Sequence, residues 1–257
     1  MVIKFQSFLS GSSGNCTSIT DDETYLLVDS GAGGKYITEC MQRLGIHPAA
    51  LSGILLTHEH RDHIAGAGVL SRRFNLPVYA TSKTWEAIGD SLGSFAPENK
   101  RITEPEMCFG AMTVRAFSIP HDAVDPVAYS FTCDGDKFTI ATDMGEVTDT
   151  VLENIEGSHA VIIEANHDIT MLQNGRYPYP LKKRILGRYG HLSNEACGRL
   201  CVRLAQSGTC AFWLGHLSAE NNKPPLAYDT VASILQDASL SVGGGLALNV
   251  LPRYWIH

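Results

Sequence analysis

The chain has 257 residues, 44% of them hydrophobic, and a formal net charge of −7. That length and apolar content suit one large α/β domain with a sizeable core and exclude a disordered or collagen-like polymer. The acidic balance excludes nucleic-acid binding by bulk charge, while a local basic patch, or divalent cations offsetting the acids of a site, stays open.

In chain order, apolar–polar alternation predicts a strand over 2–8, and the glycine-serine run at 11–15 predicts a turn. Tyr25-Leu26-Leu27-Val28 reads as a short apolar strand ending at Asp29, followed by a glycine-rich bend. Helical spacing over 35–44 stops at Gly45. Ile54-Leu55-Leu56 is a buried strand that ends where a histidine cluster starts; a helix follows over 62–74, and Pro77 opens another strand. The middle is strand-rich: 112–119 and 127–133 alternate, Asp134-Gly135-Asp136 predicts a tight hairpin turn, and 137–141 leads to Asp143. Val161-Ile162-Ile163 ends at Glu164. Residues 194–206 are helical with Ser193 as N-cap. A strand over 210–214 leads to His216, a last long helix spans 224–237, and a final strand spans 246–250.

The seven cysteines include no CxxC pair, which predicts free, mostly buried thiols in a reducing compartment. There is no run of about 18 apolar residues, and the N-terminal apolar stretch is too broken for a signal peptide. The expectation is a soluble cytoplasmic protein with no membrane partner. With no low-complexity linker, residues 1–257 are expected to form a single domain. The run GHLS occurs at Gly190 and Gly215 with different flanks and is not a structural repeat. Oligomeric state is not legible.

Asp29, His58, Asp143, Glu164 and His216 all follow short apolar strands. Core packing has no reason to put acids and histidines there, whereas α/β folds gather ligands and catalytic groups at strand ends. Within Thr57-His58-Glu59-His60-Arg61-Asp62-His63, positions two apart in an extended segment point the same way, so His58 and His60 can share one cation. A helix starting near Asp62 turns Asp62 and His63 toward a second position. Imidazoles and a carboxylate at this spacing suit Zn²⁺, Mn²⁺ or Fe²⁺. His121, Asp143 and His216 are the candidates for the remaining ligands. His47, His159 and His257 have no such context and receive no role.

The order THxHxDH, a later histidine, a strand-end aspartate and a strand-end histidine resembles the metallo-β-lactamase superfamily. The resemblance implies a four-layered αββα sandwich. It also implies His58, His60 and His121 on one metal, Asp62, His63 and His216 on the other, Asp143 bridging, and Asp29 ordering the ligand loop from behind. Three further segments narrow the branch: Ser10-Gly11-Ser12-Ser13-Gly14-Asn15, Glu164-Ala165-Asn166-His167-Asp168, and the pair Gly190-His191-Leu192-Ser193-Asn194 and Gly215-His216-Leu217-Ser218. They resemble the WalJ/YycJ family of metal-dependent 5′→3′ DNA exonucleases. The last pair is also similar to ribonuclease Z, which implies a catalytic or phosphate-facing His191.

Two cations about 3.5–4 Å apart would lower the pKa of a shared water, giving a bridging hydroxide as nucleophile, and steady both oxygens of an in-line displacement. Asp62 could orient that hydroxide and His191 protonate the leaving oxygen. The segment 176–189 carries Arg176, Lys182, Lys183, Arg184 and Arg188, no acid, and interleaved tyrosines. Such a segment can follow a phosphate backbone while its rings stack on unpaired bases. Ser12, Ser13 and Asn15 could cradle a phosphate, although a plain tight turn accounts for them equally. The expected partner is nucleic acid, foremost DNA, with two divalent ions (Zn or Mn, or Fe) as cofactors. Open alternatives are a small-molecule hydrolase of the same fold, a ribonuclease Z-like RNA endonuclease, and a non-catalytic binding protein, the last requiring eroded ligands that are in fact all present.

Overall fold

The computed structural model describes residues 2–94 and 96–255; His257 lies outside them. One sheet has six strands in chain order: β1 (Lys4–Leu9), β2 (Cys16–Thr20), β3 (Tyr25–Val28), β4 (Leu51–Leu55), β5 (Val78–Ala80) and β6 (Lys100–Ile102). The other contains β7 (Glu106–Phe109), β8 (Met112–Ser118), β9 (Val127–Cys133), β10 (Asp136–Ala141), β11 (Ala160–Glu164), β12 (Ala211–Gly215) and β13 (Ala247–Val250), ordered β13-β12-β11-β10-β9-β8-β7. Each sheet begins antiparallel and turns parallel, at β3 in the first and at β10 in the second.

Parallel neighbours need crossovers, and these supply the helices. In the first sheet they are α1 (Gly34–Arg43), α2 (Arg61–Ile64), α3 (Ala67–Phe74) and α4 (Ser82–Ile88). In the second they are α5 (Asp149–Ile155), α6 (Ile169–Asn174), α7 (Tyr179–Ile185), α8 (Asn194–Gln206) and α9 (Pro224–Asp237). The two-residue period of each strand sorts its side chains between layers. On β3, Leu26 and Val28 enter the seam between the sheets, where Tyr129, Phe131 and Phe138 lie, while Leu27 joins Ile37, Met41 and Leu70 under the helices. On β11, Ile162 faces the seam, while Val161 and Ile163 pack with Leu200, Cys201 and Val231 of α8 and α9. Three apolar layers therefore separate helix, sheet, sheet and helix, which is the αββα sandwich. All seven cysteines are free and five are buried. Among the described residues no helix is long and apolar enough to cross a membrane.

The helix expected over 62–74 is two helices, interrupted between Ile64 and Ala67. Gly66 N–H donates to Ser30 O at 2.7 Å, and a Cβ on Gly66 would lie 2.3 Å from Ala32 O. The close approach of the 30–32 backbone thus breaks the helix and isolates Asp62 and His63 on a single short turn. β2, with hydroxyl residues in buried positions, has no apolar alternation to read, and α4 to α7 are six or seven residues, under two turns.

Parallel pairing aligns strand direction, so the carboxyl ends of β3 and β4, and of β10, β11 and β12, lie along one edge of each sheet. The two edges are tied together: Val127 N–H donates to Thr57 O at 3.0 Å, and His216 N–H to Ser10 Oγ at 2.8 Å. Gly31 sits at this junction, where a Cβ would fall 1.6 Å from Asp62 O and 2.6 Å from Asn15 N. Asn15 N–H donates to Asp62 O, and Gly31 N–H to Asn15 O, both at 2.8 Å. Gly31→Ala should therefore cost about 2 kcal/mol or more. In a chain of this size that lowers Tm by roughly 4–8 °C. A thermal melt checks it, and an unchanged Tm would contradict the close packing at this junction.

Candidate metal centre

The ligand run is held from beneath. Asp29, just past β3, is buried and has a left-handed backbone (φ 58°). Its Oδ1 accepts from Thr57 N at 2.8 Å, and its Oδ2 accepts from Thr57 Oγ1 at 2.9 Å and His63 Nδ1 at 2.8 Å. The single hydroxyl proton of Thr57 is spent on Asp29, so Thr57 accepts from His58 Nδ1, 2.9 Å away. Both rings thereby present Nε2 on the other side. Burial would lower the His63 ring, but the charges of Asp29 and Asp143 and the Asp29 hydrogen bond raise it to about 10. Burial and the charge of His63 hold His58 well below the ordinary histidine value.

The structure brings all seven residues named as ligands into one cluster. Within His58, His60 and His121, and again within Asp62, His63 and His216, potential ligand atoms lie within 4.8 Å of one another. His58 Nε2 and His60 Nδ1 are 3.0 Å apart. His121 Nδ1 donates to Gly190 O at 3.3 Å, which turns Nε2 outward. Asp143 (φ 60°) touches both groups: Oδ2 lies 3.5 Å from His63 Nε2, and Oδ1 lies 3.9 Å from His121 Nε2. Surrounding histidines overcome the burial penalty and hold the Asp143 carboxyl well below the usual range. Buried polar atoms are ordinarily hydrogen-bonded. Among the described residues His121 Nε2, Asp143 Oδ2 and His216 Nε2 are buried with no hydrogen-bond partner. Such a set of convergent, unpartnered donors is what divalent cations require, so the residues fit metal binding.

Glu164, read from the sequence as a strand-end acid that opens one of the family-like segments but given no role, anchors the far side. It is fully buried. Its Oε1 accepts from His216 Nδ1 at 2.7 Å and His191 Nδ1 at 2.8 Å, and its Oε2 accepts from the N–H groups of Met144 (2.9 Å) and Leu192 (3.1 Å). These contacts aim His216 at the cluster and leave His191 Nε2 without a hydrogen bond among the described residues. The signal was present: a carboxylate closing a strand buried at all five positions must have partners. Burial opposes both charges, yet their mutual attraction holds Glu164 at about 2 and His191 at about 9.

The residues assigned to substrate separate. Ser12 lines a cavity of about 170 Å³ together with Tyr177, Arg184 and His191. Ser13 is exposed, and among the described residues nothing bonds its side chain. Asn15 is buried, its Nδ2 lying 3.0 Å from His63 Nε2 and 3.2 Å from Gly11 O, so it belongs to the metal cluster's wall. Of the five basic residues, Arg184 donates to Asp122 through Nη2 at 2.8 Å, Arg188 pairs with Glu146 at 2.8 Å, and Lys182 donates to Gln173 O at 2.8 Å. Acids from other segments, invisible in a local reading, take up the two arginines. Among the described residues Arg176 and Lys183 have no such partner.

Glu164→Gln removes the charge that favours the His191 imidazolium, so burial should dominate and the His191 pKa should fall from about 9 to below the ordinary 6.5. Ring-nitrogen NMR titration of the metal-stripped protein measures this, and an unmoved pKa would contradict the pairing. The same substitution removes stability that the parent holds above pH 4.5 and loses as pH falls through about 2.

A profile of the Metallo-beta-lactamase superfamily matches residues 9–196. The chain is 41% identical over 244 residues to a Streptococcus pneumoniae (strain R6) protein named exodeoxyribonuclease WalJ, covering 93% of this chain and 91% of that one. It is 38% identical over 245 residues to exodeoxyribonuclease YycJ of Bacillus anthracis, with coverage of 95% and 93%. In fold it is similar to the metallo-beta-lactamase fold protein YhfI from Bacillus subtilis, with a TM-score of 0.72 over 98% of both chains at 15% identity. This chain is thus a metal-dependent hydrolase, and it belongs to the metallo-beta-lactamase superfamily, in the family of WalJ and YycJ.

Proposed function

We propose that this chain is a two-metal phosphodiesterase that removes nucleotides from DNA in the 5′→3′ direction. In this reading His58, His60 and His121 would hold one ion and Asp62, His63 and His216 the other, with Asp143 shared between the two groups. Two such ions, zinc or manganese with iron also compatible, would supply Lewis acidity and an activated water. The carboxylate of Asp62, half-buried beside His63, orients the attacking water. His191 donates a proton from Nε2 to the leaving oxygen, and Glu164 keeps that ring protonated at neutral pH. Arg176 and Lys183 meet the phosphate backbone.

The observation that carries the reading is the Glu164–His191 pair, with Nδ1 to Oε1 at 2.8 Å, set against the metal cluster and at the end of the basic segment. A proton donor of this kind serves an oxygen leaving group on a phosphodiester. The names of the relatives at 38–41% identity support DNA as the substrate and the exonucleolytic mode, and the likeness to that family supports the 5′ start.

Digestion of 5′-labelled and 3′-labelled single and double strands with Mn²⁺ or Zn²⁺ tests this. Labelled mononucleotide should appear early from the 5′ label, and absence of cleavage of every polynucleotide under every metal would sink the proposal. His191→Ala should lower kcat by roughly 10²–10⁴-fold with a smaller change in KM. Lys183→Glu, which breaks no ion pair among the described residues, should weaken DNA binding and reduce the slope of log Kd against log salt by about 0.7 per lost contact on a single strand. An unchanged slope would remove Lys183 from the DNA path.

A further inference from the structure

The cavity beside the cluster has features that the metal ligands do not account for. His121 and His191 reach it from the centre, and Tyr177, Leu181 and Ile185 contribute apolar lining from the segment around α7. Asn166 also lines it and is itself 4% exposed. We propose that this pocket takes the single nucleobase of the terminal nucleotide and thereby sets the product as a mononucleotide. The proposal rests on the nuclease reading above.

Size comes first. Pockets that bury drug-sized ligands run to about 300–1,000 Å³. At about 170 Å³ this one holds a single ring system and not two stacked nucleotides. Lining chemistry comes second. A tyrosine ring with aliphatic neighbours offers flat apolar surface, and aromatic stacking accepts every base because every base has a π-face. Tyr177 lines the pocket, and its hydroxyl has no hydrogen bond among the described residues. Asn166 contributes the edge: its Nδ2 donates to His216 O at 2.9 Å, which fixes the amide plane and leaves Oδ1 as the acceptor. Each of the four bases carries an N–H donor, so one acceptor aligns a base without selecting among them.

Charge on the α7 side of the pocket is already neutralised. Arg184 is the one cationic residue of the lining apart from the histidines, and its guanidinium is committed to both oxygens of Asp122. On the α7 side an occupant would face this neutralised arginine and the apolar side chains of Leu181 and Ile185, while Ser12, Ser218 and the His191 ring complete the lining. The pocket shares His191 with the leaving-group side of the centre, so a base held there lies one nucleotide from the scissile bond.

The test compares binding of dAMP and of deoxyribose 5-phosphate, which lacks the base, to the metal-loaded protein by calorimetry. The expected result is at least about tenfold tighter binding of dAMP. Tyr177→Ala should raise the dAMP Kd about tenfold and leave the deoxyribose 5-phosphate Kd unchanged, which also shows that the variant is folded. Tyr177→Phe should bind dAMP as the parent does, and Leu181→Trp should block it. Equal binding of the two ligands, or an equal loss of both in Tyr177→Ala, overturns the proposal in favour of a phosphate site. DNA degraded to mononucleotides by the parent, with dAMP binding indifferent to Tyr177 and Leu181, overturns the pocket and leaves the nuclease reading standing. A parent that cleaves no polynucleotide yet shows the Tyr177-dependent preference for dAMP upholds the pocket and overturns the nuclease reading.

Discussion

Five imidazoles of the centre are each held by one ring nitrogen, and the rest of the structure serves that constraint. Thr57 holds His58, Asp29 holds His63, the Gly190 carbonyl holds His121, and Glu164 holds both His191 and His216. A histidine can present an acceptor nitrogen to a cation only when its other nitrogen carries the proton, and a hydrogen bond there decides the tautomer. The four αββα layers matter to function because they bring these supporting groups up under the rings from two different sheets. Asp29 and Thr57 come from the first sheet, whereas Glu164 comes from the second.

Holding the cluster in this way is costly. Asp29, Asp143 and His216 adopt left-handed backbone conformations, with φ of 58°, 60° and 55°. Such non-glycine conformations cost of order 1–3 kcal/mol each and persist only where the surroundings impose them. All three follow parallel strands, where a sharp turn of the chain aims the next side chain across the sheet edge. His121 Nε2, Asp143 Oδ2 and His216 Nε2 are in addition buried without a hydrogen-bond partner among the described residues, which adds a desolvation cost. Strain and unpartnered burial coincide at one place, and bound cations would relieve the second of these.

Much of this was legible in the sequence, for a physical reason. The strands that carry the ligands are buried on both faces and read as apolar runs, so the polar residue that ends each one stands out, as at Asp29, Asp143 and His216. The His58 run was legible because neither core packing nor surface solvation calls for four metal-binding side chains within six residues. Glu164 was visible as a strand-end acid but its role was not, because its partners, His191 and His216, are 27 and 52 residues away. The break at Gly66 was hidden for the same reason: it is imposed by the 30–32 backbone and not by local propensity.

The basic segment shows the opposite error, in which a local pattern says too much. Five cations without an acid look like an unneutralised stripe, yet Asp122 and Glu146 come from other parts of the fold to pair with Arg184 and Arg188. The first pair has a consequence for the site. Asp122 directly follows the metal-facing His121 and lies 3.9 Å from His60 Nε2. Arg184, donating to both its oxygens, fastens α7 to the loop that carries a ligand. The Gly190 carbonyl that orients His121 belongs to the same segment, and a Cβ on Gly190 would lie 2.1 Å from Ile185 O at the end of α7. The helix that borders the small pocket, the turn that delivers His191 and the loop that delivers His121 are therefore locked together. Displacing any one of them would move His121, His191 and the pocket wall at once, so the arginine in that stripe acts mainly to hold α7 in register with the histidine cluster.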